Sequence, residues 1–241
     1  MSGPVLGVIG GLGPLATANF LEQVAKMTRV DREQDNIDMI VYNFPSIPDR
    51  TGYILGSNLR SPLPGLLWAG RELERQDVST IAIPCVTAHF FYEDLSRELR
   101  KPIIHDIRET AAYLKAQGVS SVGILATEGT VMSGLFSQEL LPLGIRPILP
   151  DATLQQDVTH LIYRNIKAGN PPEMDRFQRI TQSLHSRGAE VIVLGCTELS
   201  VLARDRQLGP GFLDTTQILA RESILRCGKQ LKPEYENLIT G

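Results

Sequence analysis

The chain has 241 residues, 42% hydrophobic and 21% charged, which is enough apolar material for one large α/β domain or two small ones with an ordinary globular balance. A formal net charge of -3 with no long Lys/Arg run removes the electrostatic reason to expect nucleic acid or an anionic membrane as partner. Three scattered cysteines are too few for a disulfide framework and fit free thiols in a reducing compartment, so a cytoplasmic protein is expected.

In chain order, Met1-Ser2-Gly3-Pro4 shows neither a basic segment nor a cleavage pattern, so no signal peptide is expected. Leu6-Gly7-Val8-Ile9 reads as a buried strand. The glycine turn Gly10-Gly11-Leu12-Gly13-Pro14 follows, and Pro14 suits the first turn of the next helix. Ile37 to Tyr42 is a second strand, ending in the proline-rich loop 43–50. A helix is expected from about Pro64 to Arg75. Ile81-Ala82-Ile83 is a third strand, ending at Pro84-Cys85. Ile107, Thr110, Ala111 and Leu114 share one helix face, with Gly118 as its cap. Val122-Gly123-Ile124-Leu125 is a strand leading into Ala126-Thr127-Glu128-Gly129-Thr130. Val158, Leu161, Ile162 and Ile166 mark a helix closed near Gly169. Met174, Phe177, Ile180 and Leu184 mark another, closed near Gly188. Val191-Ile192-Val193-Leu194 is a strand ending at Gly195-Cys196, and a last helix starts after Asp214-Thr215-Thr216. No apolar run approaches the roughly 18 residues of a membrane span. Strands alternating with helices imply parallel sheets flanked by helices.

The second half repeats the first. Leu6-Gly7-Val8-Ile9 aligns with Val122-Gly123-Ile124-Leu125, and Ile83-Pro84-Cys85 with Leu194-Gly195-Cys196, at nearly the same offset. Two related α/β lobes are expected, each with a cysteine directly after a buried strand. Ligands of parallel sheets bind beyond the carboxyl ends of the strands, so facing lobes would bring Cys85 and Cys196 to one cleft. Thr87 and Thr197 supply hydroxyls beside them.

Two opposed thiols suit racemisation. One base takes an α-proton from one face, and one acid returns a proton to the other. A free cysteine, with a pKa of about 8.5, is closer to neutrality than lysine for this work. The plainer reading is core packing, because free cysteine is among the most buried residue types. Paired positions in a repeat favour the thiol chemistry, whereas Cys227 in the last helix reads as packing.

His89, four residues after Cys85, and Glu198, two after Cys196, are placed to orient or protonate a thiol. No metal is expected, since no Cys-x-x-Cys or His-x-x-x-His occurs. His105 sits near a strand end, and His160 and His185 read as locally satisfied helix residues. Gly11-x-Gly13-x-x-Ala16 resembles the dinucleotide turn. The second strand, however, ends in Tyr42-Asn43 without the acid that binds a ribose, so a dehydrogenase is disfavoured. The glycines can instead bring backbone close to a small carboxylate. Arg50, after the Pro45/Pro48 loop, can grip a carboxylate with both arms. Lys167 near a helix end is explained by the dipole alone.

Together these segments resemble the aspartate/glutamate racemase superfamily, aspartate racemase type, in order along nearly the whole chain. The matching segments are Gly7 to Ala18, Tyr42-Asn43 with Ile47-Pro48-Asp49-Arg50-Thr51, and Ile83-Pro84-Cys85-x-Thr87-Ala88-His89. They continue with Gly123 to Thr127, Gly129-Thr130, Tyr163 with Ile166 to Gly169, Leu194 to Leu199, and Asp214-Thr215-Thr216. The resemblance implies an α/β fold of two pseudo-symmetric lobes, each a parallel β-sheet flanked by helices, with the active site in the cleft between them. The first lobe is then 1–103 plus 214–241, and the second 104–213. It implies a cofactor-independent racemase of aspartate, and of glutamate as well, with Cys85 and Cys196 as the acid–base thiols. It implies a homodimer and a small amino-acid or dicarboxylate ligand. Thr87, Thr127 and Thr130 would hold the amino-acid backbone end, near Gly11, Leu12 and Gly13. Arg50 and Lys167 would hold the side-chain carboxylate, while Asn43, Thr197 and Glu198 line the pocket. Val86 departs from the family motif, where an asparagine amide contacts substrate. Losing that contact points to a shifted substrate or slower turnover. Alternatives are a hydantoin racemase or maleate-isomerase-like enzyme at the same site, or a non-catalytic binder of small carboxylates.

Overall fold

The computed structural model describes residues 3–206 and 208–241. The first half runs β1 (Val5–Gly10), α1 (Pro14–Met27), β2 (Asp38–Asn43), α2 (Arg50–Ile54), α3 (Leu63–Arg75), β3 (Thr80–Ala82), a 3-10 segment over Val86–Phe91 and α4 (Tyr92–Glu98). The second runs α5 (Asp106–Ala116), β4 (Ser121–Ala126), α6 (Glu128–Met132), α7 (Leu135–Leu140), β5 (Arg146–Ile148), α8 (Ala152–His160), a π-helical segment over Leu161–Ile166, α9 (Met174–Ser186), β6 (Val191–Gly195), α10 (Thr197–Asp205), β7 (Phe212–Asp214) and α11 (Thr215–Arg226).

Each half builds a parallel sheet. The strand orders are β2-β1-β3 and β5-β4-β6-β7. Thus β1 and β4 occupy matching central places, and β3 and β6 lie beside them. The segment at Ile103 makes a parallel bridge to Ile81, mirroring β7 beside β6. The two-lobe α/β expectation therefore holds. β1, β4 and β6 are buried along their full length, which is why they read as unbroken apolar runs rather than alternating ones.

The halves share a core. Val8 and Phe20 from the first sheet side belong to one buried cluster with Ile124, Val193, Leu213 and Ile218. α11 closes the chain by packing on α1 and α5. Smaller clusters lie under α3 and α4 and under α8 and α9.

Helix ends fall where glycines allow a left-handed turn, at Gly118, Gly169 and Gly188. The helix expected over 158–166 divides instead. α8 stops at His160 and the backbone widens to a π-turn, with Lys167 N–H reaching back five residues to the Ile162 carbonyl at 2.9 Å. Val158, Leu161, Ile162 and Ile166 stand at i, i+3, i+4 and i+8, which also fits one face of an α-helix, so the spacing does not reveal the extra residue. α4, α7, α10, β5 and β7 were not marked by periodicity, each being short or covered on all sides. Among the described residues no helix is long and apolar enough to cross a membrane.

Candidate active site

β3 and β6 end two lobes that face each other, and each strand delivers a cysteine to the crevice. Cys85 is 5% exposed and Cys196 4%. Both line one tight chamber of roughly 10 Å³, with Leu12, Arg50, Val86, Thr87, Thr127, Lys167, Thr197 and Glu198 in its wall. The chamber shares Leu12, Asp49, Arg50, Lys167 and Glu198 with an outer pocket of roughly 410 Å³, which Gly11, Gly13, Leu15, Ile47 and Val201 also line. A separate groove beside the C-terminal tail, lined by Arg204 and Gln217, holds neither thiol.

The thiols have opposite neighbours. The Cys196 thiol donates to the Glu198 carboxylate at 3.0 Å, and Thr197 approaches the same oxygen at 3.3 Å. Burial, reinforced by the Glu198 charge, pushes the Cys196 thiol well up, so it stays protonated. Lys167 lies 3.7 Å from the other Glu198 oxygen and 4.4 Å from the centre of the Tyr163 ring. Burial opposes its charge, but Glu198, Tyr163 and the two cysteines outweigh it and hold the ammonium above its usual range.

Cys85 faces Arg50. Burial works against the guanidinium, yet Cys85, Asp49 and Glu198 outweigh it and keep it charged. Arg50 donates through Nη2 to the Leu12 carbonyl at 2.5 Å and through Nη1 to the Pro48 carbonyl at 3.3 Å. It thereby clamps the glycine loop to the proline loop. Its Nε is buried without a partner, a donor left for an acceptor inside the site. Asp49 caps α2 by accepting from the Gly52 N–H at 2.6 Å, which aims Arg50 inward from the first helical turn.

Across the lobe seam, the hydroxyls of Thr87, Thr127 and Thr130 form a closed triangle with sides of 2.9, 2.9 and 3.0 Å. Thr127 also caps α6. Gly129 is needed here because a Cβ on it would sit 2.9 Å from the Thr51 Cα, so α6 and α2 touch backbone to backbone.

Some sequence expectations change. His89 does not reach either thiol. Its ring lies 3.1 Å from the Cys85 carbonyl and 3.1 Å from the Asp106 N–H, and burial pushes its basicity down. Gly11 has φ of +90°, and a Cβ there would strike the Phe44 backbone, so loop packing by itself requires glycine at this position of the outer pocket wall. Asn43 is exposed at the end of the edge strand β2, paired with Gly10, and lines neither cavity. Asp49, Thr51 and Tyr163 lie in the matching segments but carried no expected role at the site. The first two could have been found as the cap-and-first-turn neighbours of Arg50. The Tyr163 hydroxyl is buried and unpartnered.

Comparison with known proteins gives the family and the fold. A family model described as Asp/Glu/Hydantoin racemase matches residues 9–223. A broad specificity amino-acid racemase of Bacillus subtilis, RacX, is 27% identical over 227 residues, covering 91% of this chain and 96% of the relative. The aspartate racemase structure of Picrophilus torridus superposes with a TM-score of 0.87 at 30% identity, covering 97% of this chain and 98% of that one. A glutamate racemase of Francisella tularensis in complex with D-glutamate shares the fold, at TM-score 0.63 and 16% identity over 91% and 78% of the two chains.

Proposed function

The chain belongs to the Asp/Glu/hydantoin racemase family, and from that membership we propose that it interconverts L- and D-aspartate, and glutamate as a second acidic substrate, by proton transfer between Cys85 and Cys196 without a cofactor. The observation that carries the reading is the single small chamber lined by both thiols and by Arg50 and Lys167.

A thiolate on one side takes the α-proton, and the electron pair left on the α-carbon spreads into the carboxyl group. The opposite thiol gives its proton to the other face and becomes the thiolate. The two cysteines end with exchanged protonation states, ready for the reverse reaction. Protonated Cys196, hydrogen-bonded to Glu198, supports that residue as the resting acid, with Cys85 beside Arg50 as the base. The threonine triangle suits the α-carboxylate. The unpartnered Arg50 Nε suits a side-chain carboxylate.

The test is incubation of L-aspartate and L-glutamate in deuterium oxide with reductant, followed by proton NMR and chiral chromatography, with Cys85→Ser and Cys196→Ser alongside. Loss of the α-proton signal with appearance of the D-enantiomer, abolished in both variants, is the expected result. No exchange with either acid overturns the acidic-substrate reading. Unaltered but bound ligand would assign a binder, and released carbon dioxide or ammonia a different reaction.

A wider-specificity racemase is the second reading. Lys167 is already matched by Glu198, and an apolar outer pocket adjoins the charged throat. Screening neutral amino acids in the same assay decides it. We further propose a cytoplasmic homodimer. Half-exposed Trp68, packed edge-on to Phe44 beside the edge strand β2, supports an apolar contact face there. Light scattering on the purified protein checks its mass.

A further inference from the structure

Residue 89 stands four positions after Cys85, as residue 200 stands four after Cys196. In the second lobe, β6 runs through Cys196 directly into α10. The Cys196 carbonyl accepts from the backbone N–H of Leu199 at 2.9 Å and of Ser200 at 3.4 Å. The Ser200 hydroxyl donates to Asp214, the cap of α11, at 2.5 Å. The thiol-bearing residue is thus tied, through the residue four places on, to the start of the helix that leaves the sheet.

In the first lobe the turn after Cys85 is 3-10. The Cys85 carbonyl accepts from the Ala88 N–H at 3.1 Å, and the amide of residue 89 is displaced from it. The His89 ring takes over. Its Nε2 lies 3.1 Å from the backbone N–H of Asp106, the first residue of α5. A backbone N–H only donates, so Nε2 presents its lone pair, and in the neutral ring the proton sits on Nδ1. Nδ1–H then donates to the Cys85 carbonyl at 3.1 Å. Ile104 O, 3.3 Å from Nε2, receives no proton in this tautomer. The side chain is 2% exposed, which keeps the ring neutral. One imidazole makes both connections that Ser200 makes with its amide and its hydroxyl.

We infer that His89 is a positioning residue for proton transfer at Cys85: its Nδ1–H holds the Cys85 carbonyl, and so the aim of the thiol, against the start of α5. The kinetic consequence rests on the racemase reading, whereas the geometric one does not.

Three variants separate this role from space filling. The amide of His89→Asn falls where Nδ1 lies, that of His89→Gln reaches the place of Nε2, and His89→Leu only fills volume. Because a displacement of about 1 Å at a reacting group can cost roughly a hundredfold, Asn is expected to keep kcat within about threefold while Gln and Leu lose about tenfold to a hundredfold with KM little changed. Peptide-resolved alkylation of Cys85 relative to Cys196 is expected to shift in Gln and Leu and return in Asn. Unfolding temperatures identify which variants fold, and either Gln or Leu supplies the contrast. If Asn behaves like Gln and Leu, whether all are active or all impaired, the inference is overturned. If the native protein racemises nothing, only the activity reading falls, and the alkylation contrast still decides the positioning role.

Discussion

Cys85 and Cys196 end matching strands, in matching extended conformations, yet one faces a guanidinium and the other a carboxylate. The duplicated backbone brings two like groups to one chamber. The side chains around them then make the two groups unlike. Proton transfer across a substrate needs one partner charged and one neutral at the start, and two thiols in identical surroundings would share that state at random. On the proposed two-thiol mechanism the difference serves the chemistry, while the symmetry belongs to the scaffold.

The largest way to break the comparison is Glu198→Gln. It removes the negative charge that faces the Cys196 thiol and balances Lys167, leaving only a neutral amide acceptor, and kcat should fall about a hundredfold, a usual scale for a lost acid–base contribution. Because burial and Glu198 both raise Cys196, the limb of the pH–rate profile that Cys196 sets should move to lower pH in this variant. Arg50→Lys attacks the other side. A point charge cannot bridge the Leu12 and Pro48 carbonyls while facing Cys85, and kcat/KM should fall by about tenfold to a hundredfold.

Val86→Asn sharpens the comparison by adding a polar group next to Cys85 alone. One restored hydrogen bond to a charged substrate should raise kcat/KM for aspartate about tenfold, readable in the same exchange assay. Gly129→Ala probes the seam between the lobes. Its Cβ would press on the Thr51 backbone, and overpacking of this kind costs about 1–3 kcal/mol, visible as a lower unfolding temperature.

The smallest effects concern the caps of the equivalent helices α5 and α11. Burial, helped by His89 and Arg108, lowers His105 to about 3, so its neutral form stabilises the fold above the unfolded value near 6.5 and that contribution is lost as pH falls. Burial raises Asp214 to about 6 against the hydrogen bonds from Ser200 and Thr216, so its contribution is present below the unfolded value and lost as pH rises through about 6. Thermal unfolding from acid to neutral pH should therefore show His105→Asn gaining on the native protein as pH falls. Asp214→Asn should gain as pH rises. Each slope is at most about 1.4 kcal/mol per pH unit.

Much of the fold was legible in the sequence because the signals are local. Buried parallel strands are short apolar runs, amphipathic helices repeat their apolar face, and glycines mark left-handed ends. The repeat of strand and cysteine in both halves predicted the meeting of the thiols, and eight of the residues named for the pocket line the chamber with them. The sequence by itself thus determined the strands, the two-lobe α/β class and the thiol pair, since each follows from neighbours within a few positions. Only the tertiary structure decided what faces those thiols. Arg50 meets Cys85, Lys167 meets Glu198 through a π-turn, His89 turns to a carbonyl instead of a thiol, and Asn43 lies outside at a sheet edge. The Arg50 and Lys167 pairings join residues far apart in the chain, and the direction of His89 depends on which hydrogen bonds the packed backbone leaves open.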